Sequence, residues 1–465
     1  MMGRKHFGMR TTRSRFVRSV QFARPVSRLM IEGFLVALGI SSSVVVRLVG
    51  DLFVAEIAMI VTFPFVLAFS IRRLQRPYLI RLFVLLGLWF LAQVLSDAYN
   101  HTVWLDRMRG MAGIIVFTTE IAFLAMVVAE NERRKTIFIT AFAIGSVVLT
   151  RYQPNVAAIG LEGADAWKWS YSFGVTILAL LASSLLAARG RQVFALLLLI
   201  GVSAIDLLMN SRSAFLMLLV STVLAFPIIP DQIGRFGLLP QRNNLFRVAM
   251  VVVLALAAGW SANQLLRLVT RSGLISEEAQ EKNESEAQAG NLLLGGRPEV
   301  FIGLHAVMDS PVLGHGSWAR DMKYTEMQYD LMQEYGINGD LTDTEADTRG
   351  LIPSHSHIIG AWVYAGLFGA IFWGYVIWLL TNAIVIVAVR RPPMAPVYSW
   401  LLVGFFWNIL FSPFGSTSRI FEAFILIAIV DLLKLRVPAD RTLRGKASWH
   451  RVPITRPSLA GGHVG

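Results

Sequence analysis

Three short stretches of this sequence hold residues whose types and spacing suit the handling of an anion and of a proton. The first is Asn210-Ser211-Arg212-Ser213-Ala214, where an apolar run begins. A guanidinium there offers a planar fork to a pair of phosphate oxygens, beside a helix N-terminus that itself favours anions. An interfacial arginine reaching to lipid headgroups explains the same residue, and on spacing alone that plainer role is the stronger. The second stretch is Gly295-Gly296-Arg297-Pro298-Glu299-Val300-Phe301, followed by Asp309-Ser310-Pro311-Val312-Leu313-Gly314-His315-Gly316. Two glycines before Arg297 let the backbone come close to a ligand, and Pro298 suits the first turn of a helix. A loop-to-helix junction with a solvated arginine is the alternative. The third stretch is Pro353-Ser354-His355-Ser356-His357, just ahead of an apolar helix carrying Gly366 and Gly369. Imidazoles at a membrane face can take or give a proton near neutral pH. Metal ligation is disfavoured, because no further histidines or cluster of carboxylates lie next to them in sequence. The structural alternative is a helix cap on Ser354 or Ser356, with the histidines as bystanders.

The elements that must position these residues are membrane spans. The chain has 465 residues, of which 55% are hydrophobic and 16% charged, and its mean hydropathy is +0.57. Its apolar residues come in runs near the ~20 residues that cross a bilayer core as a helix. Lipid offers the backbone no hydrogen-bond partner, so such runs are helical. Two-residue alternation is absent, which argues against a barrel. Spans are expected near 31–50, 52–70, 78–96, 109–129, 136–150, 168–188, 192–209, 211–229, 247–270, 357–388, 395–412 and 418–434. The tenth is long for one crossing, so its start is expected at the membrane surface or re-entering. The organisation that follows is a basic tail over 1–30, nine spans over 31–270, a large loop over 271–356, three spans over 357–434 and a second basic tail over 435–465.

Charge sets the expected orientation. The net charge is +13, and the cations concentrate at the chain ends and in loops that follow even-numbered spans. Those loops are Ile71-Arg72-Arg73-Leu74-Gln75-Arg76, Glu130-Asn131-Glu132-Arg133-Arg134-Lys135, Arg189-Gly190-Arg191, the stretch with Arg235, Arg242 and Arg247, and Arg390-Arg391. The positive-inside rule makes that side, and both termini, cytoplasmic. The basic N-terminus reads as a tail before a retained helix, with no cleavable signal. The aromatic residues sit inside apolar runs and form no base-stacking platform, so nucleic acid is not an expected partner. With no cysteine, disulfides, thiolate catalysis and cysteine-bound metals are excluded.

The loop 271–356 is then extracytoplasmic. Residues 276–289 are acidic and poor in apolar content, 297–318 are expected to form a short amphipathic helix and turn, and 320–350 are again polar and acidic. Arg47, Arg107, Arg109, Arg151 and Arg419 also fall on that side, against the usual distribution of cations. Such exceptions can mark an anionic ligand, although Asp97, Asp106 and Glu120 are available to pair with them. Asp206 and Glu422 lie within spans and are expected to face the bundle interior.

Taken in order, the three motifs resemble the O-antigen ligase and Wzy-type polysaccharide polymerase superfamily. The matching pieces are Ser211-Arg212-Ser213-Ala214 after the seventh span, Gly296-Arg297 leading to Asp309–Gly316, and His355-Ser356 leading to Gly366-Leu367-Phe368-Gly369. The family pattern has a histidine, then Asn or Ser, then Gly-x-x-Gly about eleven positions on, a spacing that His355 meets and His357 does not. The resemblance implies an all-α polytopic fold of about twelve spans, of the GT-C-like glycosyltransferase kind, in the bacterial inner membrane. It implies a metal-independent, inverting glycosyltransferase without a cofactor. The donor would be a glycan on undecaprenyl diphosphate, and the acceptor a second lipid-linked repeat unit or lipid A–core. Arg212 and Arg297 would hold the diphosphate, and His355 would take or orient the proton of the acceptor hydroxyl, with His357 or His315 as auxiliaries. The motifs do not separate polymerase from ligase. The competing class is a transporter or flippase of a polar or lipid-linked glycan. Transporters often show repeated halves. No internal repeat is visible here, and the polar residues gather on one face.

Overall fold

The structure, a computed structural model, describes residues 28–47, 50–149, 166–226, 298–334 and 350–435. Helix α1 covers 28–41. It stops where the sequence reads Ser41-Ser42-Ser43-Val44-Val45-Val46. The hydroxyls of Ser41 and Ser42 donate back to the Leu38 carbonyl at 3.2 and 2.8 Å, and the β-branched valines favour extended backbone. They form an antiparallel hairpin of β1 (Val45–Arg47) and β2 (Asp51–Phe53), with Val46 opposite Leu52. The span expected over 31–50 is thus corrected to a helix ending at 41, and the described residues are helical with one small hairpin.

The helices that follow are α2 (Val54–Ser70), α3 (Pro77–Tyr99), α4 (Trp104–Val127), α5 (Glu132–Leu149), α6 (Ser172–Ala188), α7 (Gln192–Leu208) and α8 (Arg212–Ala225). A 3-10 turn, Ile71–Leu74, closes α2, and a π turn, Trp167–Tyr171, leads into α6. Beyond them come α9 (Pro298–Asp309), α10 (Met322–Glu334), α11 (His357–Ala365), α12 (Leu367–Arg390), α13 (Ala395–Phe411) and α14 (Ser416–Lys434). Among the described residues, five helical stretches are long and apolar enough to cross a membrane: Val54–Leu74, Pro77–Tyr99, Trp104–Val127, Trp167–Ala188 and Leu367–Arg390. Phe65 and Phe69 on α2 are exposed, as expected of side chains that face lipid tails. The expected span 247–270 and the acidic segment 276–289 lie outside the described residues.

Two of the basic loops, 71–76 and 130–135, meet at one end. Glu32 pairs with Arg133 at 2.8 Å, Arg76 with Glu130 at 3.2 Å and with Asp431 at 3.3 Å, and Lys135 with Asp431 at 3.0 Å. Lys434 completes the set on Glu130. The start of α1, the turns after α2 and α4, and the finish of α14 therefore share what we term the basic end.

The opposite end is capped by the described part of the large loop. There α9, α10 and α11 bury a separate apolar cluster of Ile302, Ala306, Val307, Tyr324, Ile352, Ile359 and Val363. The polar stretch expected over 320–350 thus contains helix α10. The last turn of α3 ties this cap to the bundle. Asp97 accepts from the Ser317 amide at 2.6 Å and the Ser317 hydroxyl at 2.9 Å. Ser96 donates to the Tyr364 carbonyl at 2.8 Å and accepts from the Gly316 amide at 2.9 Å. Asn100 donates to the Gly314 carbonyl at 3.1 Å.

The stretch expected as one span over 357–388 is two helices broken at Gly366, with its start in the cap. Gly366 has φ +66 and ψ −155, a region open in practice to glycine alone. Its Cα also lies against the Val312 carbonyl, so an added Cβ would collide with backbone. Gly366→Ala is expected to cost more than the ~1–3 kcal/mol of such strain. Thermal unfolding of the purified variant should show a lowered midpoint, whereas Gly374→Ala, where a Cβ meets open space, should not. Equal midpoints for the two variants would contradict this account of the break.

Candidate functional site

His355 lies half-buried in the segment that enters α11. Two residues earlier the chain passes under α9: a Cβ on Gly303 would sit 2.6 Å from Ile359 Cγ2 and 3.2 Å from the Pro353 carbonyl oxygen. Arg297 itself lies outside the described residues, but it immediately precedes α9. The helix that begins beside Arg297 therefore packs on the segment that carries His355.

Of the two serines that might cap this helix, Ser356 is the cap. Its hydroxyl oxygen accepts from the Ile359 amide at 3.3 Å and its hydroxyl donates to the Ile409 carbonyl of α13 at 2.9 Å. Arg212 stands half-buried at the start of α8, with its Nε donating to Asn210 Oδ1 at 3.3 Å. Asn210 takes a left-handed φ of +53, tolerable for Asn, to turn the chain from α7 into α8. Helix α8 packs along α13, with Met217 facing Gly404. The final turn of α13 thus receives Ser356, while α8, opened by Arg212, lies along the same helix.

The other two histidines are held by the fold. His357 is fully buried. Its Nδ1 lies 2.6 Å from the Ser412 carbonyl oxygen and its Nε2 2.6 Å from Glu422 Oε1, between the rings of Trp373 and Phe414 at 4.9 and 5.5 Å. It faces the bundle interior. His315 Nε2 lies 2.7 Å from the Ala306 carbonyl oxygen, and the ring meets Tyr324 edge-on at 5.8 Å. Asp309, at the end of α9, accepts from Lys323 Nζ at 2.7 Å and from the Tyr324 hydroxyl at 2.6 Å. These two bonds hold its carboxyl below the usual range and tie α9 to α10.

The remaining arginines resolve individually. Arg109 pairs with Asp106 at 3.5 Å and lies over the Trp318 ring at 5.6 Å. Arg107 donates to the carbonyls of Asp97 and Thr102 at 3.2 and 3.3 Å, because the Asp97 carboxylate is already taken by Ser317. Arg419 pairs with Glu56 at 2.8 Å. Arg151 lies outside the described residues. Asp206 and Glu422 are fully buried, as expected of carboxylates within spans, and Asp206 accepts from Trp167 Nε1 and the Ser172 hydroxyl at 2.9 and 2.8 Å. Glu56 went unnoticed in the sequence reading. A carboxylate just inside the apolar run 52–70 was the signal that could have found it. Among the described residues, no group of three or more His, Asp or Glu side chains lies close enough to hold a metal ion.

Comparison with known protein families and with curated proteins returns no match. What fold and composition define is a helical, multi-pass membrane protein whose bundle carries a folded polar cap at one end. An imidazole stands at the edge of that cap.

Proposed function

We propose that this chain is a polyprenyl-diphosphate-dependent membrane glycosyltransferase of the O-antigen ligase and polysaccharide polymerase kind. In this reading it has about twelve spans and a GT-C-like arrangement in a bacterial inner membrane. The basic end and both termini are cytoplasmic, and the cap is periplasmic. The observation that carries the reading is the packing of α9, which begins beside Arg297, on Pro353 and Ser354, which lead into His355. Arg212 opens α8, which packs along α13, the helix whose final turn receives Ser356.

Transfer breaks the bond between the anomeric carbon and the diphosphate oxygen, and the acceptor oxygen attacks from the opposite side and inverts the centre. Negative charge grows on the departing lipid diphosphate. Arg212 and Arg297 stabilise it by forked hydrogen bonds, a role that divalent cations play elsewhere. His355 accepts the proton of the acceptor hydroxyl or orients it.

The test is the purified chain with an undecaprenyl-diphosphate oligosaccharide and, in separate reactions, a second lipid-linked repeat or lipid A–core, read by product size in excess EDTA. Product with either acceptor is expected, and which acceptor reacts decides between polymerase and ligase. Activity lost in EDTA and restored by Mg²⁺ would overturn the metal-free part. No product with either acceptor, together with movement of the lipid-linked glycan across proteoliposomes, would replace this reading with the transporter.

A further inference from the structure

Below the cap, five ionisable side chains from four helices are packed together. They are Glu56 of α2, Glu120 of α4, His357 of α11, and Arg419 and Glu422 of α14. Glu56, Glu422 and His357 are fully buried, Glu120 is 1% exposed and Arg419 9%. Burying a charge in such surroundings is costly unless it is paired and hydrogen-bonded.

Two of the three carboxyls are accounted for. Glu56 Oε1 accepts from Arg419 Nε at 3.0 Å and Nη2 at 2.8 Å, and its Oε2 accepts from the Phe53 amide at 2.8 Å. It is placed as the anion of a full ion pair. Glu422 Oε1 is bound to His357 Nε2, and this pair is neutral overall whichever partner holds the shared proton. Glu120 is left over. Neither of its oxygens meets an N–H or O–H donor among the described residues, nor does Glu422 Oε2; the Glu120 carboxyl is within hydrogen-bonding reach of the Glu56 carboxyl, a contact that needs a proton between them. Its charged neighbours are Glu56, Arg419 and Glu422. With every carboxyl ionised and the imidazole protonated, three negative charges would face two positive ones, with no further cation in the cluster among the described residues. One more proton makes the cluster neutral.

We propose that this cluster is a proton-binding site within the membrane bundle, and that Glu120 is the carboxyl that carries the proton. Among the described residues, the elements packed most closely against α4 are α2, α3, α14 and the turn Ile71–Leu74, and none of them supplies another cation to the cluster. On α3, Asp97 is committed to Ser317 in the cap, while Arg81 lies toward the opposite, basic end of that helix. In the turn, Arg73 donates to the Met126 carbonyl at 2.6 Å, and Arg72 is exposed. On α14, Asp431 and Lys434 belong to the basic end. A proton suits the site better than a metal cation, because the Arg419 guanidinium already stands among the carboxyls. Glu422 holds His357 at the first residue of α11, so proton occupancy is linked to how the segment carrying His355 is seated.

The experiment uses the purified full chain in detergent. Infrared spectra at neutral pH should contain a protonated-carboxyl stretch that E120Q removes and that E120D, which keeps a carboxyl, shifts. Gln is an isostere of the neutral acid, so E120Q should melt as the wild type does at neutral pH. E56Q, which deprives Arg419 of its anion, should melt lower. Raising the pH above the ordinary carboxyl range should lower the wild-type midpoint, with the unfolding constant rising up to tenfold per pH unit while the folded protein keeps a proton that the unfolded chain has released. E120Q should lack that slope. Absence of the carboxyl band from the wild type, or persistence of the same band in E120Q, would overturn the proposal. So would an E120Q protein that melts as low as E56Q, or stabilisation by sodium at fixed pH.

Discussion

His355→Ala protein is expected to fold as the wild type does and to transfer glycan ~10²–10⁴-fold more slowly, the range lost with a general acid or base. The two halves of that statement have separate grounds. The helix cap here is Ser356, whose hydroxyl meets Ile409 and Ile359, so removing the neighbouring imidazole leaves the entry to α11 anchored. His355 is half-buried in the segment that enters α11, so part of its surface is open to solvent. His357 is the natural control. Its ring is fully enclosed and bound on both nitrogens, and His357→Ala leaves Glu422 as an uncompensated buried acid, a loss of ~3–5 kcal/mol. Activity per folded molecule and the unfolding midpoint, measured together, separate the two residues. Full activity in a well-folded His355→Ala protein would reject the catalytic role. A midpoint as low as that of His357→Ala would make His355 a structural residue.

Arg297→Lys should lower turnover by ~10²-fold or more, comparable to deleting one oxyanion donor. The charge is conserved in this variant, so the loss isolates geometry. An ammonium is a point charge with a strongly held water shell, whereas the guanidinium lays two parallel donors against two phosphate oxygens. Arg212→Lys should fall in the same direction. Both effects should appear in kcat more than in KM, because the negative charge they answer grows as the bond breaks. Wild-type turnover by Arg297→Lys would argue against a diphosphate clamp at this position.

The five helices long and apolar enough to cross a bilayer were legible as runs of apolar residues, and of the loops grouped by charge, 71–76 and 130–135 meet at the basic end. Failures occurred where local chemistry cut across hydropathy. The run 31–50 reads as one span by hydropathy, yet Ser41 and Ser42 bond back on Leu38 and three successive valines carry its second half into a hairpin. The run 357–388 was expected to be too long for one crossing, but hydropathy did not locate the break, which falls where the Gly366 backbone meets Val312. In the cap, the apolar residues of α10 are interleaved with acids, so its helix was hidden inside a stretch that reads as solvated.

The candidate site divides in the same way. Arg212, Arg297 and His355 stood out only through the resemblance carried by the order of the three motifs, because residue type and spacing alone favour a plainer role for each. Whether the two neighbouring histidines belong with them was not local. His357 meets Glu422 across a gap of 65 residues, and His315 is turned back onto Ala306. The sequence by itself determined that apolar segments must be helical, since a backbone in lipid can satisfy its hydrogen bonds only within itself. Tertiary structure alone decided which buried charges face one another, because pairing depends on distances between helices that no local pattern encodes. Glu56, Glu120, Arg419 and Glu422 therefore became a cluster only once α2, α4 and α14 were packed side by side.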